Sequence, residues 1–391
     1  MRSFLTVCGA SALAVLIFVA GWGIGSGRIS LSTIRTLNAN IAGPDYDEVN
    51  ELYKALSANY DGKLTSQQLT EGILKGLASA PGDPYTEYFT AQDAEDFTAS
   101  LNGTITGIGA QLGKNADGNI EVIAPIDGSP AAAAGLRPRD VIAKVGNDST
   151  AGWSVDEAVT KIRGDKGTKV ILTIVRGSDS PFLVTLTRDT ITVPSVESEV
   201  LTGNIGYIRI SQFAESTGTL AQAAAQKMVK AGVKGIILDL RDNGGGYVDA
   251  AKVVASLWLP KGTLIYQEKR QDGTVVDTGY ASGDNPLLHY KTVVLINGGT
   301  ASASEIVTGA LHDNKAATVI GETSYGKGVV QNVISLSGGA ELKVTVASWY
   351  RPNGKNINKK GIDPDKTVPL SLDDYKANRD PQKDAAIKTL Q

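Results

Sequence analysis

Histidine and cysteine are almost missing from this chain of 391 residues, which holds two of the first, His289 and His312, and one of the second, Cys8. A single cysteine excludes an internal disulfide, so no redox compartment is implied. Three such side chains are also too few for a zinc site of the common kinds, and no metal or other cofactor is expected. Charge of one sign is lacking too: 38 Lys and Arg stand against 41 Asp and Glu, a net charge of -3. Nucleic acid would require a basic surface, so it is not expected as a partner. What remains is a globular composition, 42% apolar and 20% charged, with length for two to three domains.

One long apolar run stands at the start. Ser3 to Gly27 carry no charge, lie between Arg2 and Arg28, and centre on Leu13–Ala20. Such a run is a signal peptide or an uncleaved anchor. No clean small-x-small cleavage site follows it and it is long enough to span, so residues 1–27 are expected to anchor the chain, with Arg2 cytoplasmic and the rest outside. A secreted or periplasmic protein released by cleavage is the alternative. Cys8 precedes the apolar core and reads as a small membrane residue. Residues 28–44 read as a polar linker. Residues 45–103 read as a helical region, from apolar spacings at Val49, Leu52, Tyr53 and Leu56 and again at Leu69, Ile73, Leu74 and Leu77.

The chemistry concentrates in Asn297–Gln331. Val293–Ile296 reads as a buried strand, Asn297-Gly298-Gly299 as a tight turn, and Ser302–Val307 as the start of a helix. A serine at that turn is exposed at the positive end of a helix, where a nucleophilic hydroxyl belongs. It needs a base. His312, ten residues further on the same helix, would lie roughly 15 Å away, and nothing recommends His289, in a polar loop. Lys327 sits in a glycine-flanked turn, Gly326-Lys327-Gly328, entering an apolar strand. Burial there disfavours the ammonium and lowers its pKa. Without the serine stretch, Lys327 would read as an ordinary turn lysine.

Thr300-Ala301-Ser302-Ala303-Ser304-Glu305, then Gly326-Lys327-Gly328 with Gln331 four residues beyond the lysine, resemble the carboxyl-terminal processing (tail-specific) peptidases. The resemblance implies Ser302 as nucleophile, Lys327 as general base and Gln331 as the residue orienting the lysine; its spacing selects Ser302 over Ser304. It also implies that the loop Arg241–Gly246 supplies an oxyanion-hole N–H, from Gly245 or the adjacent Gly244, with the Ala303 amide as the second donor. The spacing of that loop fits neither a P-loop nor a dinucleotide fingerprint. Gly82–Tyr88, Tyr350–Gly354 and Lys360–Asp365 resemble further motifs of the family.

Residues 104–190 resemble a PDZ domain. Its glycine loop, Gly107-Ile108-Gly109, would offer backbone N–H groups to a C-terminal carboxylate, and the strand that follows would pair with the peptide. Ser154–Ile162 reads as a helix capped by Ser154, with Val155, Val159 and Ile162 walling the groove. Arg163, at its end, resembles an arginine that couples the PDZ domain to the glutamine beside the lysine in related peptidases; a solvated arginine complementing the helix dipole is the plain alternative. From Ile191 strands and helices alternate, which implies an α/β core over 191–370. Residues 371–391 read as a charged tail with a surface helix.

The expected architecture is α/β: a crotonase/ClpP-like peptidase core with an inserted PDZ domain, an N-terminal helical region and an N-terminal membrane segment. The expected function is an extracytoplasmic serine endopeptidase that recognises protein C-terminal tails and cleaves with a Ser/Lys dyad. Its partners would be those tails and the membrane, with a homo-oligomer or an activating partner left open. Two rival readings are a catalytically silent PDZ scaffold, decided by a tail-peptide cleavage assay, and a crotonase-like coenzyme A enzyme, decided by thioester turnover. Lys327 and the PDZ segment argue against the second.

Overall fold

The computed structural model describes residues 43–115, 117–126, 128–371, 373–374, 377 and 379–391. The expected membrane segment 1–27, with Cys8, and most of the expected linker lie outside the described residues. No helix among the described residues is long and apolar enough to cross a membrane. The chain divides into two compact units, one ending at Leu69 and the other starting at Thr70. The first holds α1 (Tyr46–Asn59), capped by the Asp45 carboxylate, which accepts from the N–H groups of Asp47 and Glu48. None of its residues is buried. Helix α2 (Ser66–Ser79) runs across the division.

In the second unit, β1 (Glu87–Phe89) leads into α3 (Ala91–Leu101), whose capping box pairs Thr90 with Asp93. Strand β2 (Thr104–Gly107) then enters the PDZ segment. There β3 (Ala110–Lys114), β4 (Ile120–Pro125), β5 (Val141–Val145), β6 (Asp148–Ser149), β7 (Lys169–Val175) and β8 (Phe182–Thr187) form one antiparallel sheet, with α4 (Pro130–Ala133) and α5 (Val155–Ile162) against it. Period-2 alternation in β7, with Val170, Leu172 and Ile174 inward, puts those side chains in a core with Ile120, Val122, Ile142 and Leu186. The chain leaves through β9 (Asp189–Thr192), which pairs antiparallel with β2, Thr104 opposite Thr192 and Gly107 opposite Asp189. This ribbon belongs to neither larger sheet.

The remainder alternates strand and helix. Strands β10 (Val196–Leu201), β11 (Ile205–Ile210), β12 (Gly235–Asp239), β15 (Lys291–Ile296), β16 (Thr318–Gly321) and β19 (Lys366–Thr367) lie in that order in one sheet, parallel from β11 onward. Every residue of β12 is buried, as an unbroken apolar run predicts for a central parallel strand covered on both faces. Helices α6 (Thr217–Ala231), α7 (Val248–Ser256) and α8 (Ala303–Asp313) share one core cluster with it. Ala386 and Leu390 of α9 (Pro381–Leu390) cluster with Ile205, Ile237, Val293, Leu295 and Ile320. The expected surface helix is therefore docked more firmly than its charges suggest. Arg241 also pairs with Asp380 at its N-cap, bridging it to Asp239 at the end of β12.

A second sheet is built around β18 (Glu341–Tyr350). Strand β17 (Val329–Ser335) pairs along one edge of β18, while β1 and β13 (Leu264–Lys269) share its other edge at the two ends. Strand β14 (Val275–Tyr280) completes the hairpin with β13, whose turn holds the Asp272-Gly273 pair.

Candidate active site

Strand β15 ends at Ile296, and the chain turns through Asn297-Gly298-Gly299 before α8 begins at Ala303. The turn is fastened by side chains that accept backbone donors: Asn297 Oδ1 takes the N–H of Gly299 and of Asp242, and Thr300 Oγ takes that of Asn297. Ser302 is the N-cap of α8 and is held at φ 55° and ψ -117°. A residue with a side chain is rarely found there, and such strain collects at functional turns. Ser302 lines a cleft of about 670 Å³ together with Gly244, Gly245, Lys327, Gln331, Lys343 and Trp349. Ser304 is not in it: its hydroxyl is buried and donates to the carbonyl of Asn243.

Lys327 comes from the turn that enters β17. Its flanking glycines are demanded by close approach. A Cβ on Gly326 would fall 2.7 Å from the Gly361 nitrogen, and one on Gly328 would fall 2.5 Å from that of Asn358. The loop 351–362 thus clasps the lysine turn from behind, with Lys359 N–H donating to Gly326 C=O and Asn356 Nδ2 to Gly328 C=O. The buried Trp349 indole donates to the Lys327 carbonyl. The lysine side chain is left among Tyr85, whose ring centroid is 5.2 Å from Nζ, and the charges of Asp83, Glu305 and Lys343. Burial lowers the Lys327 pKa and Lys343 lowers it further, while Glu305 and Asp83 pull it back up.

Glu305 joins the two turns. It sits three residues into α8, wholly buried. Its Oε2 accepts from the N–H of Ser302 (2.8 Å) and of Lys327 (2.9 Å). Its Oε1 accepts from the N–H of Gly326 (2.8 Å) and the hydroxyl of Ser324 (2.5 Å). Burial pushes this carboxyl's pKa up, and the four donated bonds work against that push. One side chain therefore fixes the backbone of Ser302 to that of Lys327. The Ser-x-x-Glu spacing of a capping box could have flagged Glu305 from the sequence; its link to the lysine turn could not.

The glycine loop after β12 reaches the same turn. Asn243 is fully buried; its C=O accepts from Ala301 N–H and its side chain from Gly245 N–H (2.9 Å). A Cβ on Gly245 would fall 2.8 Å from that of Ser302, so only glycine fits. Of the two expected loop donors, Gly245 thus has its N–H directed at Asn243, whereas no acceptor for the Gly244 N–H is found among the described residues. Ala303 occupies the first helical position, whose N–H has no partner within the helix.

The other expected residues are placed as follows. Gln331 lines the cleft but donates to Thr345 Oγ (3.2 Å) rather than to the lysine. His312, in the last turn of α8, binds Asp365 and Arg351 instead. Gly107 is the last residue of β2, and Ile108 and Gly109 lie between β2 and β3. Ile108 C=O accepts from Ala131 N–H, and Gly109, at φ 72°, presses on Ser129. Val159 is half-buried on α5, which packs against β3. Arg163 caps α5 and lines a separate cleft with Gln92, Glu95, Asp96 and Lys166. The structure does not bring it to Gln331; both clefts instead share helix α3, whose Phe97, Ser100 and Leu101 face Ser302. Asp83, Tyr85 and Lys343 are site neighbours missed from the sequence, because each reaches Lys327 from far along the chain.

The sequence pattern of peptidase family S41 matches residues 204–368, and that of a PDZ domain matches 121–176. Carboxy-terminal processing protease CtpA of Bacillus subtilis is 38% identical over 364 residues, 93% of this chain and 75% of that protein. A probable CtpA-like serine protease of Staphylococcus epidermidis is 36% identical over 88% of this chain and 71% of its own length. Among solved structures, the photosystem II D1 C-terminal processing protease superposes with a TM-score of 0.51 at 28% identity, covering 84% of this chain and 87% of that one. A serine among backbone donors beside a half-buried lysine, on a fold and sequence shared with these proteins, places the chain among the carboxy-terminal processing proteases of peptidase family S41, serine peptidases with a PDZ domain.

Proposed function

We propose that this chain is an extracytoplasmic endopeptidase, anchored by residues 1–27, that captures protein C-termini in its PDZ groove and cleaves peptide bonds with a Ser302–Lys327 dyad. The observation that supports the dyad most is Glu305, which holds the Ser302 and Lys327 backbones on one carboxylate in a shared cleft. The neutral Lys327 amine removes the Ser302 Oγ proton as the oxygen attacks the scissile carbonyl carbon. The N–H groups of Ala303 and of Gly244 or Gly245 hold the oxyanion. Collapse breaks the C–N bond, and Lys327 returns the proton to the leaving amine. Water then attacks the acyl-enzyme, again giving a proton to Lys327, and Ser302 is restored. Gln331, in the same cleft, is assigned to orient the lysine, and Gly107, Ile108, Gly109 and Val159 to hold the tail.

Mass spectrometry of a tagged unfolded protein, incubated with the wild type, Ser302→Ala and Lys327→Ala, tests the dyad. Loss of cleavage in both variants, with a double variant no worse than either, is expected; full activity in either single variant refutes it. Lys327→Arg is expected to be inactive, because a guanidinium stays protonated. The anchor is tested by fractionation: the full chain should sediment with membranes and be digested by protease added outside.

A further inference from the structure

The turn Gly82–Thr86 lies between α2 and β1 and brings two side chains, Asp83 and Tyr85, to Lys327. One carboxylate fastens it. Asp83 Oδ1 accepts from Tyr85 N–H (3.2 Å) and Oδ2 from the Thr86 hydroxyl (2.6 Å). The Thr86 oxygen in turn accepts from Thr345 N–H (3.2 Å) on β18. Across the ladder Thr345 stands opposite Gln331, at a register shift that follows Val330. Such irregularities re-aim side chains and gather beside active sites. Here the Gln331 amide meets the Thr345 hydroxyl at 3.2 Å, and that hydroxyl also bonds the Asp83 carboxylate.

The directions of these bonds follow from counting protons. A hydroxyl has one proton to give, and a carboxylate only accepts. Thr345 therefore donates to Asp83 and can only accept from Gln331. Gln331 must turn its NH2 to Thr345, which leaves Oε1 for the cleft that the residue lines with Ser302 and Lys327. A neutral lysine amine needs that end of the amide. It has N–H groups to give to an oxygen, while its lone pair must stay free for the Ser302 proton. The reversed amide would set a donor against the amine and compete for that lone pair. Burial works against the Asp83 charge, but the Thr345 and Thr86 hydroxyls, the Tyr85 N–H and the charge of Lys327 prevail and lower its pKa, so the accepting form persists at neutral pH.

We infer that Asp83 is a positioning residue for the dyad: through Thr345 it decides which end of the Gln331 amide faces Lys327. This rests on the dyad reading above and on Gln331 as the residue that orients the lysine. Asp83 itself acts at one remove from the reacting atoms.

The full-length enzyme is assayed on a peptide spanning a casein bond mapped by mass spectrometry. Rates are compared at the alkaline end of the pH–rate profile, where Lys327 is neutral in every variant. Thr345→Val keeps the shape of the side chain and removes its hydroxyl. It should lower kcat roughly 3- to 10-fold with KM within about twofold, and Thr345→Ser should restore kcat. Asp83→Ala should lower kcat by a similar factor. In a Gln331→Ala background neither change should cost anything further, because both act through the amide. Where Asp83→Ala does not fold, the Thr345 variants decide alone. Wild-type kcat in Thr345→Val overturns the inference. Losses that multiply in the double variants overturn it too, being the mark of general damage to the fold. So does wild-type kcat in Gln331→Ala, which would leave nothing to position. Cleavage that survives in Ser302→Ala or Lys327→Ala counts against the dyad reading instead.

Discussion

Ser302 shows what a single residue contributes and what it costs. A serine at φ 55° is strained by about 1–3 kcal/mol. Ser302→Gly should relieve that strain where Ser302→Ala cannot, so the glycine variant is expected to melt several degrees above the alanine variant, with both inactive; calorimetry of the pair checks this. Lys327 has the opposite bias, towards a lost proton. Its pKa is lowered in the fold, so kcat/KM should rise with pH through a value below that of a free lysine. Lys343→Gln removes a cation from beside it, which raises the Lys327 pKa and moves that rise to higher pH; a pH–rate profile of the variant measures the shift. Stability follows the same proton. Between the folded and unfolded pKa values the unfolded chain binds it more tightly, so stability grows as pH rises through that window. Lys327→Met should accordingly gain most stability below the folded pKa and little in strong alkali, as denaturant titrations at two pH values would show. The serine and the lysine were legible in the sequence because a strand-to-helix turn and a glycine-flanked lysine are local patterns. Asp83 and Lys343 were not, since their proximity to Lys327 is created only by the packing of β1 and β17 on β18.

Among the elements, α8 and the clasping loop 351–362 act as one body. The helix carries Ser302 at its start. At its end Asp313 binds Arg351 and the backbone of Asn353, where the loop begins. Glu305, near the start, takes the four donors described above. Glu305→Gln offers one carbonyl oxygen and an amide in place of two oxygens, so two of those donors face a donor. The expected loss is about 3 kcal/mol of stability, with a fall in kcat larger than the change in KM, read from equilibrium unfolding and steady-state kinetics. The strands and helices of this region follow from apolar runs and turn residues, as β12 and α8 illustrate. The clasp does not. Its closest approaches are backbone to backbone, Gly326 on Gly361 and Gly328 on Asn358, and backbone contact across some thirty residues leaves no periodic trace in a sequence. The glycines were noticed as flanks of a lysine, without the reason for them. The docking of α9 was missed because its charges hide the pair Ala386 and Leu390.

At the scale of the molecule, helix α3 lies between the two clefts. Arg163 and Lys166 face Glu95 and Asp96 on one side, while Phe97 and Leu101 border Ser302 on the other. Arg163→Glu should therefore lower turnover of protein substrates while leaving the affinity of the PDZ groove for a C-terminal peptide unchanged, a pair of measurements on one variant; unchanged turnover would make Arg163 a surface residue. The ribbon of β2 and β9 has a consequence for how the chain comes to be folded. Gly103 and Val193 are hydrogen-bonded across its base. Joining them through about 90 residues of disordered chain would oppose folding by an entropy on the order of 4 kcal/mol. A PDZ segment that condenses first closes that loop within its own folding. The end of α3 and the segment leading into β10 are then brought together at Gly103 and Val193 as if nothing had been inserted between them. The PDZ segment is in this sense an internal chaperone for the peptidase half. A chain in which a short turn replaces 104–192 should refold at least as fast as the intact protein, whereas one whose PDZ core is broken by Leu172→Asp should refold the peptidase half more slowly.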